Sequence, residues 1–208
     1  MSLTALTSAE ISLPAEADGV RVSDRIAVLA DTVDVVGLTD NHAGQPRMSP
    51  LAAVALAREP VGAVVNPFAE NVDRELRLLR RKIAAGATFV QSQMIFDLGR
   101  LEAFLSVAED TLANVRFYAS VALLRSAHMA ERACALPGVT IPQRALAQIS
   151  RGGGIDLARE LAAGLAGISR VDALHVFPLG AEAATREVAA EFRVTRGVSA
   201  QRPAGTGL

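Results

Sequence analysis

The chain alternates short apolar runs with longer segments in which apolar residues recur at every third or fourth position. Six apolar runs predict strands, at residues 8–13, 33–39, 61–66, 88–93, 115–121 and 171–177. A helix is predicted after each strand, and the clearest one carries one apolar stripe of Val72, Leu76, Leu79 and Ile83. Repeated strand–helix units of this short period predict a parallel α/β fold.

The order of predicted elements leaves two architectures open, a doubly wound sheet and a barrel. No Gly-x-Gly-x-x-Gly motif follows a strand. The glycines at 152–154 lie between two predicted helices, so they are interpreted as a loop and not as a phosphate cradle. Residues 1–197 are predicted to form one domain, and residues 198–208 a flexible tail.

The composition excludes several classes of protein. The 208 residues include 21 Lys and Arg against 22 Asp and Glu, which gives no basic footprint for nucleic acid. No run approaches the ~18 apolar residues of a membrane span, and the N-terminus lacks the features of a signal peptide, so we expect a cytoplasmic protein. The single cysteine, Cys134, is predicted to be a small buried residue of an Ala-rich helix. The three histidines are not spaced for a metal site.

Polar residues inside otherwise apolar strands are the candidates for chemistry. Ligands of parallel α/β proteins bind at the carboxyl ends of the strands, and four such residues lie near those ends: Glu10, Gln91, Gln93 and His175. Glu10 is interpreted either as a group that delivers or takes a proton or as part of a frayed edge strand. His175 is interpreted as a satisfied core histidine in preference to a catalytic base.

Amide side chains in this set suggest a flat polar ligand. Gln91 and Gln93 are two positions apart, so they share one face of a strand. The Gln93 amide both donates and accepts, which suits a pterin or a flavin edge, but a core amide bonded to neighbouring backbone gives the same pattern. Asn66 closes the preceding strand. Lys82 lies on a basic helix face, which is either a solvated charge run or a contact for a phosphate or glutamate tail.

Six short segments, spread along nearly the whole chain, resemble the methylenetetrahydrofolate reductase family of flavin-dependent (β/α)8 barrels. The strongest similarity covers Leu79–Ala87, with its Ala-Gly-Ala helix end, and Phe89–Asp97, with its Gln-x-x-Phe-Asp strand end. Weaker similarity lies in Ser8–Pro14, Leu38–Thr39, Pro137–Pro142 and Leu174–Leu179. The resemblance implies a TIM-barrel-like (β/α) parallel barrel.

The resemblance implies roles for a substrate side of the site. Glu10 would protonate a folate nitrogen and so ease formation of the iminium that accepts a hydride. This role needs a carboxyl pKa raised by an apolar wall from other strands. Gln93 would hold the pterin ring, and Gln91 and Leu179 complete the substrate-binding set. Ala181 stands where the family can have an arginine, so that anchor is missing.

The resemblance implies a cofactor side as well. Thr39 corresponds to a threonine that contacts the flavin, and Asn66 replaces an aromatic residue of some members. Glu75 and Lys82 correspond to positions near the ribose and phosphate of the cofactor. FAD is therefore the implied cofactor and a tetrahydrofolate derivative the implied substrate, while the electron donor, NADH or NADPH, is not identified.

Two βα units of the family are missing from this chain. Only residues 58–60 join the second predicted helix to the third predicted strand, where the family has two more strands that help to hold the flavin. The barrel is therefore predicted to be reduced to about six strands, with an incomplete FAD site. Either the six strands close into a smaller barrel, or the barrel stays open and its unpaired edges require a cover, such as a second copy of the chain or a partner subunit.

Two functions follow from these residues and the resemblance. The first is a methylenetetrahydrofolate reductase-like oxidoreductase of one-carbon metabolism, with Glu10 as general acid. The second is a non-redox module or subunit that binds a folate or a methyl group and has lost flavin binding. A degenerate family member kept for assembly, and a flavin-free reductase that takes hydride directly from a nicotinamide cofactor, are further alternatives.

Overall fold

The computed structural model describes residues 6–12, 35–39, 62–84, 87–136 and 138–197. The strands in these residues are β1 (Leu6–Ser12), β2 (Val35–Thr39), β3 (Gly62–Val65), β4 (Phe89–Met94), β5 (Arg116–Ala122) and β6 (Ala173–Phe177). The helices are α1 (Val72–Ala84), α2 (Leu98–Val107), α3 (Glu109–Leu112), α4 (Ala127–Cys134), α5 (Gln143–Ser150), α6 (Gly154–Ala166) and α7 (Glu182–Thr195). The helices predicted over 22–30 and 50–57, the junction at 58–60 and the tail from 198 lie outside the described residues.

The six strands form one parallel sheet in the order β2-β1-β6-β5-β4-β3. The steps from β1 to β2 and from β3 through β4 and β5 to β6 each move to the neighbouring strand in the same direction, and the last strand, β6, pairs with the first, β1. This cyclic order is that of a TIM-barrel-like fold, so the predicted architecture of about six strands is confirmed. In the part of the chain that the structure describes, β2 and β3 each pair with one neighbour and form the two edges.

The helices cover one face of the sheet. Because the described crossovers, between β3, β4, β5 and β6, run in the same direction, right-handed connections place the described helices together on that face. The buried core between the sheet and the helices includes Phe117, Leu174 and Val176 from the strands and Leu79, Leu161 and Phe192 from the helices. We call the opposite side of the sheet the inner face, because it lines the interior of the barrel-like arc.

Arginine side chains close the amino end of the sheet. Arg170 donates to the Asp172 carboxylate at 2.7 Å and to the carbonyl oxygens of Leu112 and Val115. Asp172 in turn accepts from the Phe117 backbone N–H at 2.7 Å. Arg196 donates to carbonyl oxygens at the end of α6 and in the loop that follows it. These contacts tie the ends of α3 and α6 to the starts of β5 and β6.

A glycine brings a helix start close to the carboxyl end of β5. Gly154 begins α6, and a Cβ at this position would lie 1.8 Å from the Leu124 carbonyl oxygen. No larger residue fits without moving this backbone. The interpretation of residues 152–154 as a loop between two helices is therefore correct for 152 and 153, while Gly154 already belongs to the helix.

The prediction that Cys134 is buried is wrong, because its side chain is exposed. Helix α4 buries Ala130 and Ala133 against the core. Cys134 is the last residue of α4, and the core that covers Ala130 and Ala133 does not extend to its thiol.

None of the helices in the described ranges is long and apolar enough to cross a membrane.

Candidate functional site at the carboxyl end of the sheet

Polar side chains occupy the middle of the inner face. Ser8 of β1, Ser120 of β5 and His175 of β6 are in register across three adjacent strands, and all three are buried. Leu174 and Val176, on either side of His175, belong to the helix-side core, so strand alternation places His175 on the inner face. At this level of the sheet, the inner face is therefore polar and the helix-covered face is apolar.

His175 is buried and only partly hydrogen-bonded. Its Nδ1 lies 2.7 Å from the Ser8 hydroxyl oxygen, whereas its Nε2 is buried without a hydrogen-bond partner. Burial lowers the pKa of His175 to about 3, so the ring is neutral near pH 7. The half-buried Phe177 ring packs edge-on against the imidazole, with centroids 4.6 Å apart. The predicted core histidine is confirmed as buried, but one of its two nitrogens is unsatisfied.

Two serines stabilise an irregularity in β4. The pairing of β4 with β5 shifts register between Gln91 and Met94. There the Ser120 backbone N–H donates to the Ser92 hydroxyl at 2.9 Å, and the Ser120 hydroxyl donates to the Ser92 carbonyl at 2.6 Å. This reciprocal pair holds the bulge immediately before Gln93.

Two glutamines lie on either side of this bulge. Gln91 is buried opposite Tyr118 of β5, and within the described residues its amide makes no hydrogen bond. The Gln93 oxygen Oε1 accepts from the Met94 backbone N–H at 2.9 Å, and its side chain is half-buried. Because a backbone N–H only donates, the atom that faces it is the amide oxygen. The Gln93 NH₂ group is therefore the end that remains for another partner.

The predicted cofactor residues around β3 form hydrogen bonds with backbone groups of β3 and of the turn that follows it. The Asn66 N–H donates to the Glu75 carboxylate at 2.9 Å, and Asn66 Oδ1 accepts from the Phe68 N–H at 3.0 Å. Lys82 Nζ donates to the Val64 carbonyl at 2.6 Å and so covers a polar group of the edge strand β3. Binding of FAD through these side chains requires an exchange of these internal bonds.

Leu179 lies in a tight turn directly after β6. Its φ is 50°, and Gly180 follows with a φ of 83°. The Ala181 N–H donates to the Pro178 carbonyl at 2.9 Å and closes the turn. A leucine in left-handed conformation is strained, and such strain concentrates at functional sites. The half-buried Leu179 side chain packs against the core.

Glu10 and Thr39 lie in described strands, but their side chains lie outside the described part of the structure. The register pairs Glu10 with Gly37, and Thr39 with Ser12. Ala9 pairs with Val176, so Phe177 is level with position 10 on the neighbouring strand. The structure therefore places Glu10 in the sheet between β2 and β6 and does not define its carboxyl group.

Sequence reasoning missed the hydrogen bonds of the buried serines. Ser8, Ser92 and Ser120 are small residues in apolar runs, and their partners are far away along the chain. The sequence contains a weak signal for them, because polar residues recur at alternate positions: Ser8 and Glu10 in β1, and Gln91 and Gln93 in β4. Within the described residues, no three His, Cys, Asp or Glu side chains converge to hold a metal ion.

Comparison with known proteins identifies the class of this barrel-like fold. A solved structure described as an uncharacterized protein from Clostridium thermocellum that binds two copies of 5-methyl-5,6,7,8-tetrahydrofolic acid superposes with a TM-score of 0.62. The match covers 92% of this chain and 96% of that one, at 12% sequence identity, so it supports the fold. A second structure, a 4-hydroxy-2-oxoglutarate aldolase, has a TM-score of 0.33 at 16% identity, covering 89% and 94% of the two chains, which is too low to carry an argument. No curated protein matches the chain.

A family model described as methylenetetrahydrofolate reductase matches residues 47–193. The match spans more than half of the chain and includes β3 to β6 with the helices between them. The chain therefore belongs to the methylenetetrahydrofolate reductase family.

Proposed function

We propose that this protein binds a reduced folate at the carboxyl end of its sheet and acts in one-carbon metabolism. Family membership supports the proposal, as does the structural neighbour that is described as binding 5-methyl-5,6,7,8-tetrahydrofolic acid. The observation that carries it is the pair of inner-face amides, Gln91 and Gln93. Neither has its NH₂ group hydrogen-bonded within the described residues.

Gln93 is proposed to recognise the pteridine ring as a hydrogen-bond donor. Its oxygen is held by the Met94 N–H, so the orientation of the amide is fixed before a ligand arrives. The pteridine edge carries carbonyl oxygen and ring nitrogen acceptors, which match an amide NH₂. A preformed donor loses little conformational entropy when it binds. Gln91 and Leu179 are proposed to complete this substrate side.

The folate-binding proposal is tested by titrating the purified protein with 5-methyltetrahydrofolate in a calorimeter. Gln93→Leu removes the donor, and we expect affinity to fall about tenfold, the effect of losing roughly 1.4 kcal/mol. Gln148→Leu is the matched control, because Gln148 lies on the helix layer and bonds to Glu160. Equal affinity of both variants would remove Gln93 from the site, and lack of binding by the unaltered protein would refute the proposal.

The proposed reaction is a methylenetetrahydrofolate reductase-like reduction, with Glu10 as general acid. Strand alternation leads us to expect Glu10 on the same face as Ser8, and Phe177 of the neighbouring strand offers the apolar wall that acid chemistry requires. Protonation of a nitrogen of the methylene-bridged ring would open that ring to an iminium, and the hydride that reduces the iminium carbon would have to come from FAD, if bound, or from a nicotinamide cofactor. Glu10→Gln should slow oxidation of methyltetrahydrofolate by an added electron acceptor at least 100-fold, the effect typical of a lost general acid.

A second candidate function, folate binding without redox chemistry, is favoured by one observation. Asn66, Glu75 and Lys82 have polar atoms engaged with the backbone of β3 and the turn after it. FAD, if bound, would be held by these residues with Thr39, and it would supply the hydride-transfer chemistry. The visible absorbance spectrum separates the two functions, since flavin bands support the reductase and a colourless protein with folate affinity supports the binding module. The electron donor, NADH or NADPH, is then found by turnover assay.

The open edges of the sheet lead us to propose a cover from outside the described residues. Val64 on edge strand β3 is 55% exposed, and exposed apolar edges promote pairing with another chain. We propose a homo-oligomer, or a partner subunit, of a cytoplasmic protein. Sedimentation equilibrium of the purified chain tests this directly, and a monomer at all concentrations would exclude the homo-oligomer.

A further inference from the structure

His175 is a second polar group on the inner face, and it is fully buried whereas Gln93 is half-buried. Its Nε2 is one of two side-chain atoms in the described residues that are buried without a hydrogen-bond partner, and the other is Thr185 Oγ1 on the helix side. Buried polar groups are nearly always satisfied, so each exception requires an explanation. Gln91 is also buried on the inner face, and its amide makes no hydrogen bond within the described residues.

Ser8 determines which nitrogen of His175 carries the proton. The Ser8 hydroxyl has one hydrogen-bond partner among the described residues, His175 Nδ1 at 2.7 Å. If Nδ1–H were the donor, the buried hydroxyl hydrogen would have no acceptor, which is costly. The bonding pattern therefore assigns the hydroxyl as donor and Nδ1 as acceptor, so the proton of the neutral ring lies on Nε2. An imidazole held this way presents Nε2–H as a fixed donor.

Within the described residues, no group accepts a hydrogen bond from this donor. Nδ1 faces β1, and the ring geometry then directs Nε2 away from the β6 backbone. The neighbouring Ser120 hydroxyl already donates to the Ser92 carbonyl. Phe177, one inner-face position closer to the carboxyl end, packs over the ring and is half-buried. A contact between a bound ligand and Nε2 therefore requires the Phe177 ring to turn aside.

We propose that His175 is a ligand-binding residue whose Nε2–H donates to an acceptor atom of the folate pteridine, with Ser8 as the positioning residue that sets its tautomer. This inference rests on the proposed folate function and extends it to a residue below the expected acid. Without a ligand, the Nε2–H group of His175 has no hydrogen-bond acceptor, and the bound pteridine supplies one. Binding therefore gains a hydrogen bond without leaving a protein donor unpaired.

The tautomer is tested by nuclear magnetic resonance of the full chain labelled with ¹⁵N-histidine. The chain has three histidines, and the spectrum of His175→Gln identifies the signal of His175. We expect the Nε2–H form, unchanged from pH 8 to pH 5, and a shift of the Nε2 signal when 5-methyltetrahydrofolate is added. The Nδ1–H form, or a signal that saturating folate leaves unmoved, overturns the proposal.

Calorimetric titration with 5-methyltetrahydrofolate gives the second test. His175→Leu removes the donor and should weaken binding about tenfold, whereas His175→Gln restores an NH₂ donor near the Nε2 position and should recover affinity to within about threefold. Ser8→Ala should weaken binding about threefold, because both tautomers become accessible. Thr185→Val removes the other unsatisfied atom and should leave affinity unchanged.

The outcomes separate the two proposals. If the unaltered protein binds no folate, the folate function fails, and this inference fails with it. If the unaltered protein binds folate and His175→Leu binds it equally well, only the role of His175 is refuted. Loss of affinity in His175→Leu without recovery in His175→Gln assigns the ring to packing and also refutes the proposed donor.

Discussion

At the scale of single residues, the turn after β3 depends on one glycine that is distant in sequence. Gly138 has a φ of 76°, and a Cβ at this position would lie 1.9 Å from Asn66 Nδ2. Asn66 Oδ1 accepts the Phe68 N–H at the same time. The close approach of Gly138 therefore fixes the orientation of the Asn66 amide.

Gly138→Ala should destabilise the protein by about 2–3 kcal/mol, the sum of the left-handed backbone penalty of ~1–2 kcal/mol and the loss of a hydrogen bond of ~1 kcal/mol. Gly152→Ala is the control, because Gly152 has a φ of 85° and nothing within 4 Å of the added Cβ. It should cost only the backbone penalty. Urea unfolding measures both, and equal losses would show that Asn66 moves aside freely.

The role of a residue could be predicted from the sequence only where it depends on neighbouring positions in the chain. His175 was recognised as a polar residue in an apolar strand, because strand parity is visible in the sequence. The partners of these residues were not visible. The Asn66–Gly138 contact and the Lys82–Val64 hydrogen bond join positions 72 and 18 residues apart, and periodicity carries no information about such pairs. Cys134 was misassigned because an Ala-rich helix shows no clear boundary between its two faces.

At the scale of elements, the bulge in β4 depends on a pair of serines. Ser92→Ala removes the acceptor of the buried Ser120 N–H, and a buried donor without partner costs about 1–3 kcal/mol. We expect this loss of unfolding free energy together with weaker folate binding, because the bulge precedes Gln93. Ser106→Ala, on the exposed side of α2, should change neither quantity. A Ser92→Ala protein of full affinity would show that the bulge does not position Gln93.

The clamp at the amino end of the sheet should stabilise the fold far more than the ion pairs of the helix layer. Arg170 and Asp172 are 26% and 25% exposed and also bond to backbone groups of three other segments. Hydrogen bonds to charged groups contribute about 1.5–3 kcal/mol, so Asp172→Ala should lower the free energy of unfolding by roughly that amount or more. The affinity for 5-methyltetrahydrofolate should not change, because the clamp lies at the opposite end of the strands from the proposed site.

The matched comparison for this clamp is the Arg159–Glu191 pair between α6 and α7. Its side chains are 45% and 33% exposed, at 3.1 Å, and surface pairs contribute about 0–1 kcal/mol. Glu191→Ala should therefore change the midpoint of urea unfolding little. Similar losses for Asp172→Ala and Glu191→Ala would contradict the assignment of the clamp as a structural centre.

At the scale of the whole molecule, the architecture was largely predictable, because short buried strands and amphipathic helices leave strong periodic signals. Every described strand overlaps a predicted one, and the strand order follows from right-handed crossovers of neighbouring units. Whether the arc closes depends on contacts at the edges β2 and β3, and no local pattern specifies them. Glu10 illustrates the same limit of sequence-based prediction. The sequence places it in β1, but its chemistry depends on side chains from other strands.

The buried histidine makes the stability of the whole molecule sensitive to acid. The pKa of His175 is about 3 in the folded protein, against 6.5 for the ordinary group. Below pH 6.5 the unfolded chain therefore binds a proton that the folded chain does not, and stability falls as the pH falls from 6.5 towards 3. At ~1.36 kcal/mol for each unit, this one group lowers the free energy of unfolding by about 3 kcal/mol between pH 7 and pH 4.

Urea unfolding of the unaltered protein and of His175→Gln at pH 7, 5.5 and 4 isolates this contribution. Glutamine does not titrate, so the variant should lose about 3 kcal/mol less than the unaltered protein over this range. His128→Gln is the control, because His128 lies on the exposed side of α4 and its replacement should preserve the acid sensitivity. Parallel pH profiles for the unaltered protein and His175→Gln would mean that the imidazole accepts a proton without unfolding, for instance by rotating from Ser8 towards solvent.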